Sequence, residues 1–84
     1  MQIVFKLYAS LGKYLPPGGP DKHAREIEVP EDATPSWVIE KFGVPAEMAQ
    51  LVLVNGHYVA PEERATVQLG ENDELVIFPP VAGG

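Results

Sequence analysis

Along residues 2–8, Ile3, Phe5 and Leu7 alternate with Gln2, Val4, Lys6 and Tyr8, the period of two that turns one row of side chains to a core and the other away from it. A first strand is therefore expected almost at residue 1. The following stretch, ASLGKYLPPGGPDK, holds three prolines and three glycines, which predicts a loop with a short helical turn around Leu11–Leu15. In HAREIEV, residues 23–29, Ala24, Glu26 and Glu28 share one face and Arg25, Ile27 and Val29 the other before Pro30 stops the run. This is a second strand, expected to form a hairpin with the first.

Helical periodicity appears once. Thr34 stands at the N-cap position, Pro35 at the first helical position and Gly43 just past the end, while Val38, Ile39 and Phe42 form one apolar stripe; these are the start, stop and packing signals of a helix. Pro45–Met48 can add a further turn. In LVLVNGHYV, residues 51–59, Asn55-Gly56 supplies the two positive-φ positions of a type I′ turn between β-rich runs, so strands three and four are a tight hairpin. A turn at Gly70–Asp73 then leads to a fifth strand, Glu74–Phe78, ended by Pro79-Pro80. The order β-β-α-β-β-β predicts an α+β domain, a mixed sheet of about five strands packed on one main helix. Residues 1–78 make this domain and residues 79–84, PPVAGG, an extended C-terminal tail; strand order is not contained in the periodicity.

At 84 residues the chain has room for one core, and without cysteine it has no disulfide, thiolate nucleophile or zinc–thiolate site. Its net charge of −6 is unevenly placed: residues 1–30 carry four basic groups against three acids, and residues 31–84 two against nine. An acidic field of this kind repels phosphate backbones and argues for no nucleic-acid partner, leaving a protein with a basic docking surface as the expected one. No apolar run approaches the length of a membrane span, and MQIVFKLYAS lacks the pattern of a secretory signal, so no membrane association and a cytoplasmic location are expected.

Conventional catalytic sets are absent. His23 and His57 stand in no metal-ligand spacing and read as ordinary surface histidines. Ser10 and Ser36 lack a nucleophile-elbow context, Gly18-Gly19 lacks the Lys-Ser/Thr of a phosphate loop, and the acidic clusters at Glu31-Asp32, Glu62-Glu63 and Glu71–Glu74 do not follow a calcium-loop pattern. No metal site is expected. Trp37 and Tyr58 do not form the stacking stripe of a single-strand binder.

The tail offers chemistry of a different kind. Gly83-Gly84 leaves no side chain near the α-carboxylate, so a partner can enclose the terminus in a channel that a Cβ would block. Pro79-Pro80 favours an extended exit from the fifth strand, holding Gly84 roughly 15 Å beyond it at about 3.1 Å per residue. A free carboxylate, with a pKa of about 3.5, is ionised at neutral pH and must be activated by another enzyme, with ATP as the natural co-substrate.

The segments VFKLYASL (4–11), LVLVNGHYV (51–59) and above all NDELVIFPPVAGG (72–84) resemble the ubiquitin-like β-grasp sulfur carrier proteins, most closely the small subunit of molybdopterin synthase and less closely the thiamine-pathway carrier. Two departures stand out: Gly12-Lys13 where the family has Arg-Glu, and Asn72-Asp73 where it has Gly-Asp. YLPP (14–17) and GVP (43–45) are in turn similar to ubiquitin-like domains fused to Mut7-C modules. The resemblance implies adenylation of Gly84 by an E1-like enzyme using ATP, with no cofactor bound by the chain itself. Conversion to a thiocarboxylate follows, with a sulfurtransferase or cysteine desulfurase as sulfur source, and then donation to the molybdopterin synthase large subunit or another acceptor enzyme. Carried over by position, Gly84 bears the sulfur; Gly83, Ala82, Val81 and Pro80 lie in the partner's channel; Phe78 and Leu75 are candidates for docking, to which the acidic charge of the chain adds Glu71, Asp73 and Glu74. Thiamine thiazole synthesis, tRNA thiolation, conjugation to lysines as a protein modifier, and a plain interaction module are the alternatives.

Overall fold

In the computed structural model, which describes residues 1–19 and 21–80, the alternating N-terminal segment forms β1 (Gln2–Leu7), with Ile3, Phe5 and Leu7 fully buried. Its partner β2 (Ala24–Glu28) runs antiparallel, Ile3 opposite Ile27 and Lys6 opposite Ala24. A 3-10 helix, Ala9–Tyr14, fills the first part of their connection and buries Leu11. Arg25 orders the rest: its side chain donates to the carbonyl oxygens of Pro16 (2.8 Å), Ala24 (2.7 Å) and Asp21.

Local signals set the bounds of the helix α1 (Pro35–Lys41). The Thr34 hydroxyl accepts from the Trp37 N–H at 3.1 Å, and Gly43, at a φ of 75°, donates to the Glu40 carbonyl at 3.2 Å, so both ends have bonding partners for groups the helix leaves open. Val38 and Ile39 enter the core, and the Phe42 ring packs on Phe5 with centroids 5.3 Å apart. The helix therefore covers the face of β1 that carries Ile3, Phe5 and Leu7. A single 3-10 turn, Ala46–Met48, leads into β3 (Leu51–Val54), and Asn55 and Gly56, at φ of 51° and 84°, turn the chain into the two-residue β4 (His57–Tyr58).

The connection from β4 to β5 (Glu74–Phe78) ends in the expected turn at Gly70–Asp73, while its earlier part held no regular signal in the sequence. It is organised by a 3-10 turn at Pro61–Glu63 and by Arg64, whose side chain is only 9% exposed. Its guanidinium donates to the carbonyls of Ala49 (2.7 Å), Gln50 (3.3 Å) and Val59 (3.4 Å), so a buried cation is satisfied by backbone dipoles. The Ser36 N–H donates to the Arg64 carbonyl at 2.9 Å, tying this loop to the start of α1.

The five strands form one mixed sheet in the order β2-β1-β5-β3-β4, with β1 and β5 parallel and the other pairs antiparallel. β5 thus lies in the middle, which explains why Leu75, Val76 and Ile77 are buried in succession instead of alternating. Leu75 and Ile77 join the core under α1, while Val76 lies on the opposite face beside Lys6 and Leu53. This is the β-grasp arrangement that the resemblance implied.

Candidate functional site at the end of the last strand

Because β1 and β5 are parallel, the chain leaves both strands at the same end of the sheet, with Tyr8 and Phe78 side by side. Their rings stack at 4.8 Å with an interplanar angle of 10°, and His23, just before β2, stacks on the other side of Tyr8 at 4.8 Å and 20°. Three strand ends are thereby joined by one column of rings on the face away from α1. Backbone bonds fix the same corner: Tyr8 N–H to the Ile77 carbonyl (3.3 Å), Leu7 N–H to the His23 carbonyl (3.0 Å) and Gln50 N–H to the Phe78 carbonyl (3.1 Å). His23 is half-buried and its Nδ1 is buried without a hydrogen-bond partner among the described residues, which corrects the expectation of an ordinary surface histidine. His57, in the hairpin, is exposed.

Beside this column lies an open groove of about 680 Å³, lined by Ala9, Ser10, Gln50, Leu51, Phe78, Pro79 and Pro80. Apart from Ser10 and Gln50 the lining residues are apolar, and Leu51, paired with Phe78 across β3 and β5, is 38% exposed. Apolar surface open to water at the root of a tail is the kind of area that partner binding covers. Ala9 adopts a φ of 52°, a backbone conformation that non-glycine residues take at a cost of roughly 1–2 kcal/mol. The strained residue sits where the chain turns from β1 along the groove. Further along the same face, Leu53 and Tyr58 continue the apolar surface beside the buried Val76 through direct cross-strand pairs.

The other end of β5 is polar. Asp73 accepts from the Gly70 N–H at 2.7 Å and from Asn55 Nδ2 at 2.8 Å, while Asn55 Oδ1 accepts from the Glu74 N–H at 2.9 Å. Glu74 also pairs with Lys6 at 2.8 Å, and Glu71 accepts from the Gln2 N–H at 3.2 Å. That hydrogen bond to Glu74, aided by the charge of the carboxylate and opposed by desolvation, holds the Lys6 pKa above its ordinary value.

Of the residues expected to dock, the structure brings only Phe78 to the groove, where it is joined by Pro80 from the start of the tail. Leu75 is 0% exposed and belongs to the core, a correction that follows from its facing α1. Asp73 and Glu74 are half-buried and bonded within the fold, and Glu71, though exposed, lies with them at the far end of β5. The tail positions Val81, Ala82, Gly83 and Gly84 lie outside the described residues. Tyr8, Ala9, Ser10 and Leu51 escaped the sequence reading as site residues, although outward-facing apolar residues at Tyr8 and Leu51 were a signal in the strand alternation. No group of three or more potential metal-ligating side chains occurs among the described residues, and no helix there is long and apolar enough to cross a membrane.

Comparisons with known proteins agree with this geometry. Among solved structures, the chain is similar to a Haloferax volcanii protein, HVO 2177, at 23% identity and a TM-score of 0.75 over 100% of this chain and 87% of that one. It is also similar to small archaeal modifier protein 1 of the same organism, at 23% identity and a TM-score of 0.65 over 95% of this chain and 98% of that one. A chain from the complex of subunits 1 and 2 of the molybdopterin-converting factor of Helicobacter pylori matches at 13% identity and a TM-score of 0.59, each chain covered completely. At these identities the likeness is one of fold. No curated protein sequence matches the chain. The ThiS family model matches residues 18–84, from the loop before β2 through the final glycine, and the chain therefore belongs to the ThiS family of ubiquitin-like β-grasp proteins.

Proposed function

We propose that this protein is a sulfur carrier whose reactive group is its own C-terminal carboxylate at Gly84. The observation that carries the reading is the reach of the family match to residue 84, which takes in the Gly-Gly end together with the strand that leads to it. In this reading an E1-like enzyme transfers AMP from ATP to the Gly84 carboxylate, releasing pyrophosphate. Persulfide sulfur from a sulfurtransferase or cysteine desulfurase then displaces AMP, and reduction of the resulting acyl disulfide by a thiol leaves a thiocarboxylate. Pro80, Val81, Ala82 and Gly83 occupy the partner's channel, and the groove beside Phe78 and Leu51 is the surface that both activating and accepting partners cover. No intrinsic cofactor enters the scheme.

The acceptor we favour is a pterin precursor held by a molybdopterin synthase large subunit, supported by the PPVAGG ending and by the fold shared with a chain of the two-subunit molybdopterin-converting factor. Thiamine thiazole synthesis is the nearest alternative, and the likeness to an archaeal modifier protein keeps conjugation to lysines as a second. A cytoplasmic location goes with all three, since their partners use ATP. Intact-mass measurement after incubation with ATP, an E1-like enzyme and a sulfur source tests the scheme. One oxygen replaced by sulfur, absent in a variant lacking Gly84, supports it; an unchanged mass with lysine-linked conjugates moves the assignment to a modifier, and neither signal defeats both.

A further inference from the structure

The strand order leaves β2 at one edge of the sheet, and its outward hydrogen-bonding groups can be identified from the register. Leu7 N–H donates to the His23 carbonyl and Val29 N–H to the Met1 carbonyl, so the odd-numbered residues of β2 bond to β1 and the backbone groups of Ala24, Glu26 and Glu28 point away from it. The Ala24 carbonyl is already used, accepting from Arg25 Nη1 at 2.7 Å. The N–H and C=O of Glu26 and Glu28 have no backbone or side-chain partner outside the β1 pairing among the described residues. This is a four-group ladder with one side unfilled, and such edges pair with added strands unless something blocks them.

A second feature adjoins the edge. An open groove of about 550 Å³ is lined by Val4, Gly19, Asp21, Ala24, Arg25 and Glu26. Val4 and Ala24 give it apolar area, and Asp21 and Glu26 bring two carboxylates against one guanidinium. That guanidinium is held by three backbone carbonyls. Glu28, with a side chain 82% exposed, extends the negative charge along the same face of β2, its one ionic contact among the described residues being a 3.9 Å approach to the N-terminal ammonium. A side chain with an alkyl stem and a cationic head fits both parts of this lining.

We propose that the β2 edge is a docking site for an extended, lysine- or arginine-bearing segment of a partner protein, which adds to the sheet as a sixth strand beside Glu26 and Glu28 and lays a basic side chain into the adjoining groove. Main-chain bonds supply the pairing and charge supplies the choice of partner. The same carboxylates disfavour a second copy of this chain, because two β2 strands paired edge to edge bring Glu26 and Glu28 of each copy together on the sheet. The site is separate from the tail-root groove and does not depend on the chemistry at Gly84.

The test is a titration of the isotope-labelled full chain, followed by NMR, with the peptide acetyl-Val-Lys-Val-Lys-Val-Lys-amide. Two control peptides accompany it: one with glutamate replacing each lysine, and one of the same charge N-methylated at every second residue. Saturable shifts centred on the Glu26 and Glu28 amides are expected with the first peptide alone. The double substitution Glu26→Lys, Glu28→Lys should weaken its binding by at least about tenfold while leaving the dispersion of core resonances unchanged. Equal binding of the N-methylated peptide, or shifts spread over other acidic residues such as Glu62 and Glu63, would reduce the effect to charge attraction and overturn strand addition. Absence of binding, or a free protein that sediments as a dimer sealed at β2, also overturns it.

Discussion

The two ends of β5 are held by different chemistry. At its start, Asp73, Asn55, Glu74 and Lys6 form a polar set in which each carboxylate and amide has a named partner. At its end, Phe78, Tyr8 and His23 form a ring column beside an apolar groove, and the tail departs. Directional bonds at the start fix register, since a slip by one residue would unpair all of them and turn Leu75 and Ile77 out of the core. Stacked rings tolerate small displacements and leave apolar surface for a partner. Under the proposed function, the start of β5 serves stability and its end serves recognition.

The sharpest test of that division is removal of Gly84. Thiocarboxylate formation should fall to background, whereas stability to denaturant should stay within about 0.5 kcal/mol of the parent, because the core among the described residues is complete at Ile77. A large loss of stability would make the tail part of the fold and break the comparison at its functional end.

How much of this division the sequence showed depends on whether the signal was local. The type I′ turn at Asn55-Gly56 and the Thr34-Pro35 helix start are visible because each is written in adjacent residues and depends on backbone conformation. The second use of Asn55, as the link from the hairpin to Asp73 and Glu74, depends on β3 lying next to β5, and neighbour order is not contained in periodicity. The ring column is hidden for the same reason, since Tyr8 and Phe78 meet only through the parallel pairing of β1 and β5. The place of Leu75 in the core is not visible either, because a central strand buries three positions in a row and masks which face each takes. The burial of Arg64 is hidden likewise, since the carbonyls of Ala49, Gln50 and Val59 that surround it come together only in the fold.

At the polar end, Asp73→Ala removes the acceptor for the Gly70 N–H and for Asn55 Nδ2 at once. A loss of about 1–3 kcal/mol in urea unfolding is expected, with little change in partner affinity once the variant is folded. If instead affinity for the activating enzyme falls while stability holds, the acidic end of β5 is a contact surface and the roles of the two ends must be exchanged. Phe78→Ala is the counterpart at the apolar end. Partner binding should weaken by about tenfold or more, as for a central aromatic anchor, and the folded state should lose about 1 kcal/mol with the stack. A stability loss as large as that of a core truncation, about 3–5 kcal/mol, would show that Phe78 serves the fold first.

The smallest effect concerns the Lys6–Glu74 pair, whose side chains are 28% and 42% exposed. The hydrogen bond to Glu74 raises the Lys6 pKa above 10.5, so the folded chain binds that proton more tightly than the unfolded chain does. The stabilisation is fully present below the unfolded value and is lost as pH climbs through the raised folded one. Comparing urea midpoints of the parent and Lys6→Met should give a constant difference from about pH 6 to pH 9 that shrinks only at higher pH. Added salt should diminish the difference at neutral pH, as for other partly exposed pairs. A constant difference that persists through the alkaline range would mean that Lys6 acts by packing its stem against Val76, and that Asp73 and Asn55 alone pin the start of β5.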